Sequence, residues 1–72
     1  KMGLIDIIDT MVMEMVVEEL RRSSDIMLAF NVSNMTTEDP VWLDNLARLL
    51  RETPEVAPRL IVEITETAVL RD

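Results

Sequence analysis

The 72-residue chain contains no cysteine and no histidine, and its single glycine is Gly3. Without cysteine it can form neither a disulfide nor a thiolate metal site, two common ways of stabilising a small domain. Without histidine it cannot form a Ser-His-Asp triad, and one glycine cannot build a glycine-rich phosphate loop. We therefore expect no complete catalytic site within these residues.

Basic residues are also few, because seven Lys and Arg stand against fourteen Asp and Glu, a net charge of −7. This charge repels a phosphate backbone, so we expect no nucleic-acid polymer as a partner, although a small anion held through metal ions is compatible with it. No apolar run approaches the roughly 20 residues of a bilayer-spanning helix, so we expect no membrane contact from this segment. The cysteine-free composition suits the cytoplasm, and tethering of a longer parent protein to a membrane by other domains stays open.

What is present is the composition of a folded domain, with 49% apolar and 29% charged residues. Apolar residues repeat at helical spacing from Leu4 to Leu20, which predicts a first helix. Asp6 or Asp9 is available as its N-terminal cap. Because this helix is apolar nearly all round, we expect neighbours on several sides of it.

Two short apolar runs predict strands of the kind that is buried on both faces, "IMLAFN" at residues 26–31 and "RLIVEIT" at residues 59–65. Between them, Asp39 and Pro40 predict the start of a second helix, with Asp39 as its cap and the proline in the first turn. Trp42 is expected at the edge of the apolar stripe of this helix. The predicted order is helix, strand, helix, strand.

A strand, a helix and a second strand form a βαβ unit, which predicts an α/β fold with two adjacent parallel strands. On alternation, one face of each strand is apolar at its start and polar at its end. In the first strand, Asn31 is the polar residue at the end of this face. In the second strand, Glu63 lies in the polar part of the corresponding face. Ligands bind at the carboxyl edge of such sheets, so we expect Asn31 and Glu63 to converge there.

An amide oxygen beside a carboxylate suits Mg²⁺, Mn²⁺ or Ca²⁺, but two ligands do not complete a site. The spacing also fits a simpler interpretation, in which Asn31 caps a turn and Glu63 is a solvated carboxylate. Glu66 has the opposite parity from Glu63, so we expect it to orient a loop or cap a helix rather than bind the same ion. A solvated charge at the start of a loop is the alternative for Glu66.

The predicted elements leave strand edges unpaired and apolar helix surface exposed to solvent. Two strands have two open edges, and the first helix is apolar on more sides than its neighbours can reach. We therefore expect the isolated chain to form a symmetric homodimer.

The motifs resemble a known family. "FNVS" at residues 30–33, followed by "PRLIVEITETAVLRD" at residues 58–72, resembles the EAL domain, the bacterial cyclic di-GMP phosphodiesterase family, whose typical members read N-L-S and then L-E-I-T-E-S. "GLIDIIDTMVMEMVVEEL" at residues 3–20 is similar to the family's helix before the N-L-S strand. "DPVWLDNLARLL" at residues 39–50 is similar to the helix that follows it. The resemblance covers essentially the whole chain.

The resemblance implies a TIM-like (β/α) barrel, of which residues 1–72 are a partial domain of two helix–strand units, incomplete at both ends. It also implies that Asn31 and Glu63 bind catalytic Mg²⁺ or Mn²⁺ ions, and that Glu66 stabilises an active-site loop. In the intact domain, cyclic di-GMP is the implied substrate, and metal ions activate the water that attacks its phosphodiester.

The chain also departs from the family pattern. The E-A-L strand would lie upstream, and an Asp-Asp pair, a Lys and a late Glu would lie downstream, so we expect this polypeptide alone to hydrolyse nothing. The loop "SNMTT" at residues 33–37 differs from the more usual S-A-R-Q-L type. The alternative function is that of a degenerate EAL domain, a non-catalytic cyclic di-GMP sensor or protein-interaction module.

Overall fold

A computed structural model describes residues 4–66 of the chain. Its elements are α1 (Leu4–Arg22), β1 (Leu28–Ser33), a short 3₁₀ helix (Thr36–Glu38), α2 (Pro40–Glu52), a longer 3₁₀ helix (Pro54–Arg59) and β2 (Leu60–Thr65). The two strands are parallel neighbours. The predicted order and the parallel pairing are therefore confirmed.

Neither predicted cap residue lies at the start of the first helix. Asp6 and Asp9 both lie inside α1, which already includes Leu4, so the capping prediction is wrong. Asp9 faces the interior and is only 8% exposed. The Asp9 carboxylate accepts hydrogen bonds from residues that are distant in the sequence and that tertiary packing brings close to it.

The second helix begins as predicted. The Asp39 carboxylate accepts a hydrogen bond from the backbone N–H of Val41 at 2.9 Å, and Pro40 occupies the first turn. Trp42, however, is not at the edge of the stripe, because it is 1% exposed. It packs with Met13 of α1 and with the inner face of β1, so this part of the prediction is wrong.

The core lies between the helices and one face of the sheet, in two adjoining clusters. Their buried members are Met13, Phe30, Val32 and Trp42 in the first, and Val17, Leu20 and Val56 in the second. Val56 comes from the longer 3₁₀ helix, which shows that the connection between α2 and β2 contributes to the core.

The other face of the sheet carries no covering element among the described residues. Phe30 and Val32 are buried under the helices, whereas Ala29 and Ile61 on the opposite face are exposed. The prediction of strands buried on both faces is therefore wrong for residues 4–66, because α1 and α2 pack on the same side of the sheet. We call the uncovered side the open face.

The boundaries of β1 lie two residues later than predicted, because the ladder continues through the pair Ser33 and Thr65. Before the strand, Ile26 is held by a side chain. The Arg59 guanidinium donates to the carbonyls of Ile26 at 3.2 Å, Ser23 at 2.6 Å and Leu20 at 3.0 Å. This single side chain connects the end of α1 to the start of β2.

No helix within residues 4–66 is both long and apolar enough to cross a lipid bilayer.

Candidate functional site

Asn31 and Glu63 are partners in the parallel register of β1 and β2. Neighbouring strands lie about 4.8 Å apart, and residues in register project from the same face of a parallel sheet. Both residues are exposed, on the open face. The structure thus places them side by side, as strand parity predicted, while their role as metal ligands stays a prediction.

The surroundings of this pair change along the strands. Ala29 and Ile61 form the preceding rung of the open face, so its floor toward the amino ends is apolar. Ser33 and Thr65 form the following rung, toward the carboxyl edge. The open face therefore changes from apolar to polar along the strands, and the change begins at the pair Asn31 and Glu63.

The carboxylate of Glu63 is not used in an ion pair within residues 4–66. The ion pairs found there are the exposed helix-surface pairs Arg21 with Glu18 and Arg48 with Glu52. The same range holds no cluster of three Asp, Glu, His or Cys side chains that could bind a metal ion. Asn31 and Glu63 therefore form at most part of a metal site.

The chemistry of this partial site fits a hard divalent cation. Mg²⁺ is usually held by one or two carboxylates, with waters and substrate phosphates completing its octahedral shell. One carboxylate and one amide oxygen on adjacent strands supply part of that requirement. They do not suit Zn²⁺, which prefers nitrogen and sulfur ligands.

Glu66 lies directly after β2 and is exposed. The predicted loop-stabilising role involves the residues that follow, and residues 67–72 are outside the described part of the chain. The prediction for Glu66 therefore stays untested.

Sequence reasoning missed the part played by Asp9. Its Oδ2 atom accepts hydrogen bonds from the backbone N–H of Ser33 at 3.0 Å and from the Thr36 hydroxyl at 2.7 Å. A signal was present, because Asp9 lies four residues before Met13 on the buried stripe of α1. A lone carboxylate at a core position needs partners, and these partners lie in the loop that follows β1.

Comparison with known proteins agrees with the motifs. The EAL domain family model matches residues 1–72. No curated protein and no solved structure matches the chain significantly. EAL domains have TIM-barrel-like folds, in agreement with two helix–strand units and parallel strands. The chain therefore belongs to the EAL domain family, the family of the cyclic di-GMP phosphodiesterases.

Proposed function

We propose that Asn31 and Glu63 are metal ligands of a domain that hydrolyses cyclic di-GMP in bacterial signalling. The observation that carries this proposal is their pairing in register on the open face of the sheet. Family membership supports the substrate class.

The ions we propose are Mg²⁺ or Mn²⁺. When bound, such ions supply an activated water at neutral pH and offset the negative charge of the phosphodiester. Glu63 contributes a negative charge to hold the ions, and Asn31 contributes a neutral oxygen. Metal ions also explain how a chain with a net charge of −7 can accept an anionic ligand.

We further propose that residues 1–72 are a partial domain and are inactive alone. A TIM-like barrel closes with about eight strands, and two strands leave the open face uncovered. The two proposed ligands also fall short of a coordination shell. We place the intact domain in the cytoplasm, in keeping with the absence of cysteine from the sequence.

The test is hydrolysis of cyclic di-GMP by the full-length protein with Mn²⁺, comparing wild type with Glu63→Gln. Glu14→Gln, at an exposed position on α1, is the matched control. Altering even an outer-shell partner of a metal typically costs about 10- to 100-fold in metal affinity or activity, so we expect at least about a tenfold loss for Glu63→Gln. The control is expected to match wild type.

Two results would oppose the proposal in different ways. Unchanged hydrolysis after Glu63→Gln would contradict the ligand assignment. Binding of cyclic di-GMP without hydrolysis by the wild-type protein would instead support the alternative, a degenerate EAL domain that acts as a sensor.

The isolated 72-residue chain is also proposed to form a symmetric homodimer. Besides the open face, α1 exposes large apolar side chains, among them Leu4 at 72% and Met15 at 67%. Contiguous exposed apolar surface promotes association. Light scattering at micromolar concentration should give twice the chain mass, and a monomeric mass with a cooperative melt would count against the dimer.

A further inference from the structure

Asp9 is a buried carboxylate that the proposed reaction does not use. It lies on the inner stripe of α1, where removal from water penalises a charged group unless hydrogen bonds compensate. Both of its described hydrogen bonds reach one oxygen, Oδ2, at 3.0 Å from the Ser33 nitrogen and 2.7 Å from the Thr36 hydroxyl. The 2.7 Å contact from the Thr36 hydroxyl lies within the range of charge-assisted O–H···O hydrogen bonds, and the 3.0 Å contact from the Ser33 nitrogen has the ordinary length of an N–H···O hydrogen bond.

The loop that Asp9 contacts is held from several directions. Three consecutive backbone N–H groups donate to three different places: Ser33 to Asp9, Asn34 to the Thr65 carbonyl at 2.9 Å, and Met35 to the Ser33 hydroxyl at 3.1 Å. The loop is therefore connected to α1 through Asp9 and to β2 through Thr65.

These connections lie next to the candidate site. Ser33 follows Asn31 by two residues on β1, and Thr65 follows Glu63 by two residues on β2, so each is the next residue on the same face of its strand. On this face of the sheet, the pair Ser33 and Thr65 is therefore the next pair after Asn31 and Glu63, toward the carboxyl ends of the strands. Ser33 is therefore linked to Asn31 along β1, and to Glu63 through its register partner Thr65 on β2.

We propose that Asp9 is a positioning residue, which holds the carboxyl end of β1 through Ser33 and Thr36 and so sets the spacing between Asn31 and Glu63. The proposal rests on the proposed function, since that spacing matters only if the pair binds an ion. Asp9 itself does not touch the ion or the substrate.

A residue that only stabilises the fold would lower the melting temperature without a specific effect on the site. The experiment therefore compares three variants of the full-length protein. Asp9→Asn keeps the side-chain shape but removes the charge, and Thr36→Val removes one donor. Arg59→Ala is the matched control, because it removes hydrogen bonds at the opposite end of β2.

Two readouts separate positioning from stability. Hydrogen exchange of the Ser33 amide without metal measures how strongly Asp9 restrains the loop. Calorimetric titration measures the affinity of the site for Mn²⁺. Because a hydrogen bond to a charged group is worth about a tenfold change or more in an equilibrium, Asp9→Asn should speed Ser33 exchange and weaken Mn²⁺ binding by about tenfold each. Thr36→Val should also speed Ser33 exchange and weaken Mn²⁺ binding, by a smaller factor in each case. Arg59→Ala should lower the melting temperature and leave Ser33 exchange and Mn²⁺ affinity nearly unchanged.

The outcomes distinguish this proposal from the one on which it rests. If wild type binds Mn²⁺ and Asp9→Asn binds it equally well, the positioning role is wrong and the proposed function stands. Unchanged exchange at Ser33 in Asp9→Asn would also overturn the positioning role. If wild type binds no Mn²⁺, the proposed function fails and the positioning role fails with it.

Discussion

Asn31 and Glu63 occupy one rung of the parallel ladder between β1 and β2, on the face that the helices leave open. Their spacing is set by backbone hydrogen bonds of the sheet and not by a mobile loop. Sites built on strands hold their geometry better than sites built on loops. The two side chains should therefore act as one unit toward a shared ion.

This relationship predicts non-additive effects on metal binding by the full-length protein. Asn31→Ala and Glu63→Gln should each weaken Mn²⁺ binding, and the double variant should bind little worse than the weaker single variant, because residues that share a ligand are coupled. Calorimetric titration measures all four affinities. Additive losses would show that the two residues act independently, and the pair Glu63→Gln with Glu14→Gln provides the uncoupled reference.

Arg59 is predicted to be important for stability. Its guanidinium donates to three carbonyls at the junction of α1 and β1, and a hydrogen bond to a charged group contributes about 1.5–3 kcal/mol. Since the group is partly exposed to solvent, we expect Arg59→Ala to lower the free energy of unfolding by about 3 kcal/mol in total. Urea denaturation followed by circular dichroism measures this change.

Arg51→Ala is the control for Arg59, because Arg51 is an exposed arginine in the last turn of α2. Its effect should stay within about 0.5 kcal/mol, as is usual for surface substitutions. Equal effects of the two substitutions would show that the three carbonyl contacts contribute little.

Trp42 is the largest fully buried side chain of the described core. Trp42→Ala should cost about 3–5 kcal/mol, from lost burial and the cavity left behind. Within residues 4–66 the indole Nε1 has no hydrogen-bond partner. Trp42→Phe removes this unsatisfied donor, so we expect a smaller cost of about 1 kcal/mol.

Both Trp42 variants lack the chain's single tryptophan, so unfolding should be followed by circular dichroism and not by fluorescence. A loss for Trp42→Phe as large as that for Trp42→Ala would indicate that the indole nitrogen has a favourable partner in solution.

Glu18 and Arg21 form an exposed ion pair on α1, with Arg21 Nε 3.0 Å from Glu18 Oε1. The hydrogen bond from Arg21 lowers the pKa of Glu18 below its ordinary value of 4.5. A lowered pKa in the folded state means that the pair stabilises the fold above the ordinary pKa, and that this contribution is lost as the pH falls through the lowered value. Because the pair is fully exposed, the effect on stability should be small.

The measurement is a carboxyl titration of Glu18 by NMR. Arg21→Ala should return the pKa of Glu18 toward its ordinary value, and 1 M salt should reduce the difference between wild type and variant because it screens exposed charges. An identical titration in wild type and Arg21→Ala would contradict the pairing.

Local patterns in the sequence predicted much of the fold and the position of the candidate site. Helical spacing and short apolar runs predicted the order of elements, and Asp39 followed by Pro40 predicted the start of α2, since capping involves neighbouring residues. Strand parity predicted that Asn31 and Glu63 share a face, because side chains alternate with a period of two.

Tertiary packing decided what local patterns do not encode. Trp42 was expected at an edge and lies in the core, and the sheet was expected to be covered on both faces and is open on one. These outcomes depend on which side of the sheet the helices occupy. Periodicity identifies an apolar surface but not the element that covers it.

Asp9 is the clearest example of the difference between what the local sequence predicts and what tertiary packing decides. As a residue of α1 it resembled a helix cap, and its partners Ser33 and Thr36 are 24 and 27 residues away in the chain. The sequence by itself determined the elements, the parity of the proposed ligands and the family motifs, because these depend on residues close together in the chain. Only the tertiary structure decided the hydrogen bonds that hold the loop beside the site, because a buried carboxylate takes the donors that packing brings to it.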